Sequence, residues 1–236
     1  MELTYVLGFM LALLFTVMLT PLVKRFALFA GVVDKPNHRK VHTEQMPRLG
    51  GVAIFLAFVG ALFISALWGG FSQWQSNAVY GLLAGGTIIV LIGALDDKFE
   101  LSAKVKFAGQ LVAAAVVVIG FDLKVQFLNI PFGSAYNLDD WISIPLTIFW
   151  IVGVTNAINL IDGLDGLAAG VSAIATATML VLAIMTGNVT VAMISALLLG
   201  SVIGFLFFNF HPAKIFMGDS GALFLGFALA TLSILG

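Results

Sequence analysis

Four polar side chains recur at every third position in one otherwise apolar stretch of the chain. They are Asn156, Asn159, Asp162 and Asp165. In an unbroken α-helix, side chains at this spacing drift by about 60° per step, so the first and the last would lie on opposite faces. Gly163 and Gly166 offer a turn at which the helix could end and restart. All four side chains could then point into one pocket, with free backbone N–H groups available to an anion.

A second polar feature is the pair of adjacent carboxylates Asp96 and Asp97, which follows the apolar run 78–95. A charge at the centre of a bilayer costs about 2.5–3.5 kcal/mol, so the pair should face a wet cavity or the membrane surface. Adjacent carboxylates raise each other's proton affinity, which suits a general base or a metal site. The alternative is a solvated helix end without a chemical role.

A lone carboxylate, Asp219, lies between glycines at the start of the last apolar run. An open backbone around one acid suits a hard, oxygen-ligated cation such as Mg²⁺, and the alternative is a helix N-cap. Asn209 and His211 flank the segment beside Pro212. We expect a turn role for Asn209, and the sequence assigns no role to His211.

The segment from residue 34 to residue 51 combines cations, turn-forming residues and the paired glycine Gly50-Gly51. Guanidinium groups match phosphate oxygens, and paired glycines permit close approach of the backbone. We therefore predict phosphate contacts for three cations, Lys35, Arg39 and Arg48. Membrane topology alone can account for three others, Lys24, Arg25 and Lys40. His38 and His42 have the spacing of a helical metal pair, but Pro36 argues against a regular helix there, so metal ligation is disfavoured.

The composition is that of an integral membrane protein. Hydrophobic residues make up 61% of the chain, charged residues make up 10%, and the mean hydropathy is +1.10. The long apolar runs lack the alternation of a β-barrel. We therefore predict an all-α, polytopic transmembrane helix bundle that forms one domain over residues 1–236. The absence of cysteine excludes disulfide bonds and thiolate metal ligands within these residues.

Eight apolar runs are long enough to be transmembrane helices. They lie at about 3–23, 50–68, 78–95, 105–121, 141–158, 166–186, 191–210 and 220–236. A retained first helix with its N-terminus outside would place four connections in the cytoplasm, 24–49, 96–104, 159–165 and 211–219. Ten of the eleven Lys and Arg residues then lie in or beside these connections, and only Lys124 lies outside. This distribution obeys the positive-inside rule.

The outer connections are expected to be structural. Short alternating runs in residues 122–138 surround Pro131 and Gly133 and predict a small hairpin. Asp139 and Asp140 are placed to cap the next helix. Three tryptophans near the proposed outer helix ends suit the membrane interface, Trp68, Trp74 and Trp141.

Four segments follow one another in the order DKPNHRKVH with PRLGG, DDKFELSAKVKF, NAINLIDGLDGLAAG and NFHPAKIFMGDSGALFLG. In this order they resemble the polyprenyl-phosphate N-acetylhexosamine-1-phosphate transferases over nearly the whole chain. The first segment is more similar to the bacterial undecaprenyl-phosphate N-acetylglucosaminyl-1-phosphate transferases than to the muramoyl-pentapeptide translocases. The resemblance implies transfer of GlcNAc-1-phosphate from UDP-GlcNAc to undecaprenyl phosphate at the cytoplasmic membrane face, with release of UMP. That reaction would be the first membrane step of a cell-envelope polysaccharide such as teichoic acid or O-antigen.

The resemblance also implies roles for individual residues. Asp219 is the main ligand of Mg²⁺, or of Mn²⁺ as an alternative ion, and Asn159 is a weaker candidate ligand. The lipid phosphate is positioned or deprotonated by Asp96 and Asp97. Two further acids belong with them to the catalytic set and shape the nucleotide-sugar pocket together with Asn156, namely Asp162 and Asp165. Phosphate is bound by Lys104 or Lys106. Direct displacement and a phosphorylated aspartate both remain open as mechanisms.

The expected partners are UDP-GlcNAc, undecaprenyl phosphate and the lipid bilayer, without nucleic acid. A homodimer is compatible with the resemblance, and the sequence leaves the oligomeric state open. Relatives continue through further helices and a cytoplasmic loop with a histidine cluster, whereas this sequence stops at Gly236 inside an apolar run. We therefore expect a fragment of a longer protein.

Three alternatives differ in substrate or in class. The first is a UDP-MurNAc-pentapeptide phosphotransferase of peptidoglycan synthesis. The second is a secondary transporter, for which intramembrane carboxylates and interrupted helices are also typical, although its acids would lie near mid-membrane and often in repeated halves. The third is a structural scaffold, which leaves the polar residues from Asn159 to Asp165 unexplained.

Overall fold

Eight long helices make up most of the part of the chain that the structure describes. The computed structural model describes residues 2–34, 45–69, 76–129 and 135–236. The helices are α1 Glu2–Phe29, α2 Gly50–Leu67, α3 Asn77–Phe99, α4 Ala103–Ala115 with its π-helical extension Val116–Gly120, α5 Asp140–Ile161, α6 Leu167–Thr186, α7 Val189–Asn209 and α8 Gly218–Leu235. Each is long and apolar enough to cross a bilayer. The predicted polytopic all-α bundle is confirmed.

The first helix is longer than the apolar run predicted. α1 continues past residue 23 to Phe29, so Lys24 and Arg25 lie in its last turns and not in the connection. It ends where Gly31 adopts a φ of +71°, and the N–H of Val32 donates to the carbonyl of Ala27 at 2.8 Å. This is the geometry of a glycine C-cap, which ends the helix beyond Lys24 and Arg25.

The two most buried helices, α7 and α8, form the centre of the bundle. α8 packs against α2, α3 and α5, whereas α7 packs mainly against α1 and α6. Four phenylalanines in this centre are fully buried, Phe58, Phe205, Phe224 and Phe227. Lipid tails are as apolar as these side chains, so close van der Waals packing, more than removal from water, stabilises the association of the helices.

The backbones of α2 and α8 meet at their first turns. A Cβ on Gly51 would overlap the backbone nitrogen of Gly221, so no larger residue fits there. The N–H groups of Gly50 and Gly51 donate to the carbonyls of Phe216 and Met217 at 3.0 and 2.8 Å. The paired glycine, expected to bring a phosphate close to the backbone, instead brings two helices together with both N–H groups occupied.

Two short antiparallel ribbons lie in the connections. β1 Val33–Asp34 pairs with β2 Met46–Pro47, and strands of this length leave no alternation for the sequence to reveal. β3 Phe127–Asn129 pairs with β4 Ala135–Asn137, with Phe127 opposite Asn137. This second ribbon confirms the hairpin predicted within residues 122–138. Its tip, with Pro131 and Gly133, lies outside the described residues.

The start of α5 differs from the expected acidic cap. Asp139 is the N-cap residue, but its side chain makes no capping bond, and its backbone carbonyl accepts from the N–H groups of the next turn. The carboxylate of Asp140 instead pairs with Lys124 at 2.8 Å. Trp68 and Trp141 lie exposed at helix ends, as expected, and Trp74 lies outside the described residues.

Candidate functional site

Lys106, Asp96 and Asp219 come from three helices and meet at one end of the bundle. Nζ of Lys106 on α4 donates to Oδ2 of Asp96 on α3 at 3.1 Å and to Oδ2 of Asp219 on α8 at 2.7 Å. The carboxylates are 9% and 15% exposed and the lysine is 27% exposed, so water screens their charges only weakly. The fold thus brings one member of the acidic pair, Asp96, and the lone carboxylate to one cation. We call these three side chains the lysine–carboxylate cluster.

Asp97 has a different environment from its neighbour Asp96. Its Oδ1 accepts from the backbone N–H of Asp219 at 2.8 Å, and its Oδ2 accepts from that of Ser220 at 3.1 Å. Gly218 adopts a φ of +71°, and a Cβ there would lie 2.5 Å from Asp97 Oδ2. Asp97 therefore caps α8 and opposes the positive end of its dipole. It positions Asp219.

A cavity of about 500 Å³ lies between α4 and α5, next to the lysine–carboxylate cluster. Its polar lining consists of Lys104, Lys106, Gln110, Asn156 and Asn159. Its apolar lining consists of Ala103, Phe107 and Leu160. Because Phe107 and Leu160 are exposed on the apolar surface of the bundle, the cavity borders the region that lipid would occupy. Polar groups inside and apolar groups at the edge suit an amphipathic ligand.

Gln110 is a residue of this site that the sequence analysis missed. Its buried side-chain amide and that of Asn156 donate hydrogen bonds to each other, and Asn156 also donates to the carbonyl of Val152 at 2.8 Å. The signal in the sequence is a polar residue inside an apolar run, four positions after Lys106 and therefore on the same helix face.

Asp165 does not share a pocket with Asn156 and Asn159. Its Oδ2 accepts from the backbone N–H of Ala213 at 3.1 Å and lies 3.0 Å from Nδ1 of His211. The expectation that four polar side chains converge is therefore wrong for Asp165. α5 ends at residue 161, and the turn that follows directs this carboxylate to the α7–α8 connection.

Asn209 joins the same two connections. Its Nδ2 donates to the carbonyl of Ile215 at 3.0 Å, and its Oδ1 accepts from the N–H of Gly166 at 3.2 Å. The N–H of Gly166 is thus occupied by protein and is not free for an anion. Together with Asp165, this buried amide fixes residues 162–166 against the α7–α8 connection, which precedes Asp219.

Asp162 follows the last turn of α5 as its C-cap residue. Burial raises the pKa of its carboxyl group to about 7, the negative charge of Asp219 raises the pKa further, and Arg48 lowers it. Near neutral pH the Asp162 carboxyl group is therefore present in both protonation states. Asp162 is electrostatically coupled to the lysine–carboxylate cluster.

Arg48 is the only one of the three phosphate-binding candidates between residues 34 and 51 that the described part of the chain includes. Its guanidinium lies 3.6 Å from the carboxylate of Asp34. Because Arg48 lowers the pKa of Asp162, its charge also reaches the site. The other candidates, Lys35 and Arg39, lie outside the described residues, as do His38, Lys40 and His42.

The lysine–carboxylate cluster offers oxygen donors to a hard cation. Asp96 and Asp219 converge on one point, and Oδ1 of Asp96 is buried with no hydrogen-bond partner in the described part of the chain. Asn159 adds an amide in the adjoining cavity. Among the described residues, no group of three or more His, Cys, Asp and Glu side chains forms a ready metal site. The donor set therefore fits a cation such as Mg²⁺ that keeps water or phosphate ligands, and not an all-protein cage.

Comparison with known proteins places the chain among enzymes. The model of the family described as glycosyl transferase family 4 matches residues 79–236, which include the lysine–carboxylate cluster, the cavity and the Asp165 turn. The chain belongs to glycosyl transferase family 4.

Three family 4 relatives illustrate the similarity. The probable undecaprenyl-phosphate N-acetylglucosaminyl 1-phosphate transferase of Bacillus subtilis is 47% identical over 98% of this chain and 63% of its own length. The decaprenyl-phosphate N-acetylglucosaminephosphotransferase of Mycobacterium tuberculosis is 40% identical over 94% of this chain and 58% of its own length. The phospho-N-acetylmuramoyl-pentapeptide-transferase of Shouchella clausii is 34% identical over 98% of this chain and 73% of its own length. The chain spans about three fifths of the first two relatives.

Proposed function

We propose that the full-length protein transfers GlcNAc-1-phosphate from UDP-GlcNAc to undecaprenyl phosphate. The products are undecaprenyl-pyrophosphoryl-GlcNAc and UMP, and the reaction begins the assembly of a cell-envelope polysaccharide. The relative from Bacillus subtilis, 47% identical, carries this donor sugar and this lipid in its name. The observation that supports the proposal best is the lysine–carboxylate cluster at the edge of a cavity that borders lipid.

The chemistry requires two anions to approach each other. An oxygen of the lipid phosphate forms a bond to the β-phosphorus of UDP-GlcNAc, and the bond from that phosphorus to the bridging oxygen breaks, so UMP departs with the electron pair. Asp96 receives the proton of the lipid phosphate, while Lys106 and Lys104 face the cavity in which that phosphate would lie. Asp219 would be the main ligand of Mg²⁺, with Asp96 and Asn159 close by, and the ion would supply positive charge against the pyrophosphate.

The remaining site residues position these groups and bind the nucleotide sugar. Asp97 holds the first turn of α8, and Asp165 with Asn209 holds the preceding connection. We assign Asp162 and Asn156 to the binding of the nucleotide sugar, and the pKa of Asp162 near 7 allows its carboxyl group to donate or to accept a hydrogen bond. We assign this end of the bundle to the cytoplasm because ten of the eleven basic residues lie in or beside its connections.

Release of UMP tests the proposed function. Membranes that contain the full-length protein should release UMP from UDP-GlcNAc when undecaprenyl phosphate is added, and chelation of divalent cations should stop the release. Asp219→Asn should lower the rate at least about 100-fold, the size expected when an electrostatic contact to the reacting phosphates is lost. Asp139→Asn, at an exposed residue far from the site, should leave the rate within about twofold. Membranes that carry active lipid yet release no UMP would contradict the proposal.

A second candidate donor is UDP-MurNAc-pentapeptide. The observation in its favour is the 34% identity to the relative from Shouchella clausii, of which the chain covers 73%. The same membranes should be offered each donor separately at equal concentration. Faster UMP release from UDP-GlcNAc supports the first proposal, and faster release from UDP-MurNAc-pentapeptide replaces it with the second.

A further inference from the structure

Lys106 contacts the two carboxylates that offer oxygen donors to a divalent cation. Its Nζ lies 2.7 Å from Oδ2 of Asp219 and 3.1 Å from Oδ2 of Asp96. Mg²⁺ binds oxygen ligands at about 2.0–2.1 Å. An ammonium group and a divalent cation that bind the same two carboxylates would therefore lie within a few ångströms of each other in a poorly hydrated cluster. Their repulsion disfavours simultaneous occupation.

We propose that Lys106 competes with the divalent cation for Asp219 and Asp96, and that the displaced ammonium group binds the lipid phosphate. The proposal rests on the function proposed above. A lysine has a flexible four-carbon stem, and Lys106 already lines the cavity between α4 and α5. A small rotation of this stem moves the charge from the carboxylates to the cavity. Lys106 is then a counter-ion of the acids before the cation binds and a phosphate ligand afterwards.

The competition couples the two binding events. A cation that releases Lys106 raises the affinity of the cavity for a phosphate, and by linkage a bound phosphate raises the affinity for the cation by the same factor. The positive charge of the lysine would then be fully available to the lipid phosphate when the cation is in place.

The first test measures cation affinity without any substrate. The full-length protein in nanodiscs is titrated with Mn²⁺, and the free ion is followed by electron paramagnetic resonance. Lys106→Met should bind Mn²⁺ at least about fivefold more tightly than the wild type because the competing charge is gone. Lys106→Arg keeps the charge and should stay within about twofold. Unchanged or weaker binding by Lys106→Met would overturn the proposal.

Lys104→Met is the matched control. Lys104 lies on the same helix and lines the same cavity, but its side chain is exposed, so solvent screens its charge. Its substitution by Met removes the same charge as Lys106→Met. Mn²⁺ affinity should change by less than about twofold in this variant. An equal gain in Mn²⁺ affinity in Lys104→Met and Lys106→Met would show that the gain comes from net charge alone. That result would contradict competition for the carboxylates.

A second measurement needs no variant. Wild-type protein is pulsed with an amine-acylating reagent, and modification of Lys106 is quantified by mass spectrometry relative to Lys104. Saturating Mn²⁺ should raise this ratio at least about threefold, because the displaced ammonium group loses both partners and gains exposure. A ratio that stays constant or falls would show that Lys106 remains on the carboxylates.

A third measurement tests phosphate binding, with farnesyl phosphate as the probe for the lipid phosphate. Mn²⁺ should raise its affinity for the wild type at least about fivefold, and this coupling should disappear in Lys106→Met. Coupling that survives in Lys106→Met would overturn the second half of the proposal. The Mn²⁺ titration and the acylation contain neither lipid phosphate nor nucleotide. They therefore report on the competition even if UMP release fails and the proposed function with it.

Discussion

Asp96 and Asp97 are neighbours in the sequence and have separate tasks in the structure. Helical neighbours point about 100° apart, so one carboxylate reaches Lys106 while the other reaches the first turn of α8. Asp97 accepts two backbone hydrogen bonds, whereas one oxygen of Asp96 has no partner among the described residues. The first acid is therefore available for chemistry, and the second holds Asp219 in place.

Substitution of Asp97 should destabilise the protein as well as inactivate it. Asp97→Asn replaces one acceptor by a donor that faces a backbone N–H, and charge-assisted hydrogen bonds of this kind contribute about 1.5–3 kcal/mol. We expect the apparent melting temperature of the detergent-solubilised full-length protein to fall by roughly 3–10 °C. UMP release should also fall, because Asp219 is no longer fixed.

Asp96→Asn provides the contrast. Asp96→Asn should reduce UMP release about as much as Asp97→Asn does. It should leave the melting temperature within about 2 °C of the wild type, since it removes no cap from α8. Asp139→Asn should change neither quantity. Equal melting temperatures for the Asp96 and Asp97 variants would refute the separation of tasks.

The sequence predicted the acids of the site better than their partners. The positions of Asp96, Asp219 and Asn159 at one end of the bundle followed from the apolar runs, because each lies at a helix end. Gln110 was missed because one amide inside a span has no periodic pattern, and its partner lies on another helix. Asp165 was misplaced because the direction of the turn after α5 depends on contacts with residues 209–213, which are remote in the sequence.

The amide pair of Gln110 and Asn156 joins α4 to α5 beside the cavity. Among the described residues, loss of Asn156 leaves both ends of the Gln110 amide unpaired, and loss of Gln110 leaves Oδ1 of Asn156 unpaired. Gln110→Leu or Asn156→Leu alone should therefore destabilise the protein by about 0.6–2 kcal/mol, the range for hydrogen bonds between membrane helices. The double variant should be more stable than the sum of the two changes predicts, because no polar group is left unpaired.

A double-mutant cycle on the full-length protein measures this coupling. Reversible unfolding in mixed micelles gives the free energy of unfolding for the wild type, the two single variants and the double variant. A coupling energy above about 0.5 kcal/mol supports the pairing. Additive losses would show that the two amides act independently.

The bundle as a whole separates a polar end from an end that contains the β3–β4 hairpin. The spans, their number and their all-α character were predicted from hydropathy alone, because a bilayer demands helices of nearly fixed length. The order of packing, with α7 and α8 at the centre, was not predicted, since nearly every span is apolar on all sides. The same separation disfavours a transporter, whose carboxylates would lie near the middle of the spans.

Single-cysteine labelling can determine which end faces the cytoplasm. The 236 residues contain no cysteine, so one thiol can be introduced at His211 or at Tyr136, both exposed, after replacement of any cysteine elsewhere in the full-length protein. A membrane-impermeant maleimide should label Tyr136→Cys in intact cells and His211→Cys only after the membrane is opened. The reverse pattern would place the site outside, where UDP-sugars are not supplied.

The contact between Gly51 and the first turn of α8 affects how the protein can be probed by mutation. A survey that replaces polar side chains one by one would pass over this crossing, since the groups that meet there are main-chain atoms. Yet this crossing fixes the position of the first turn of α8, and therefore the position of the Asp219 carboxylate. Substitution of a glycine such as Gly51, which takes no part in the chemistry, should therefore lower the proposed activity as strongly as substitution of the acids.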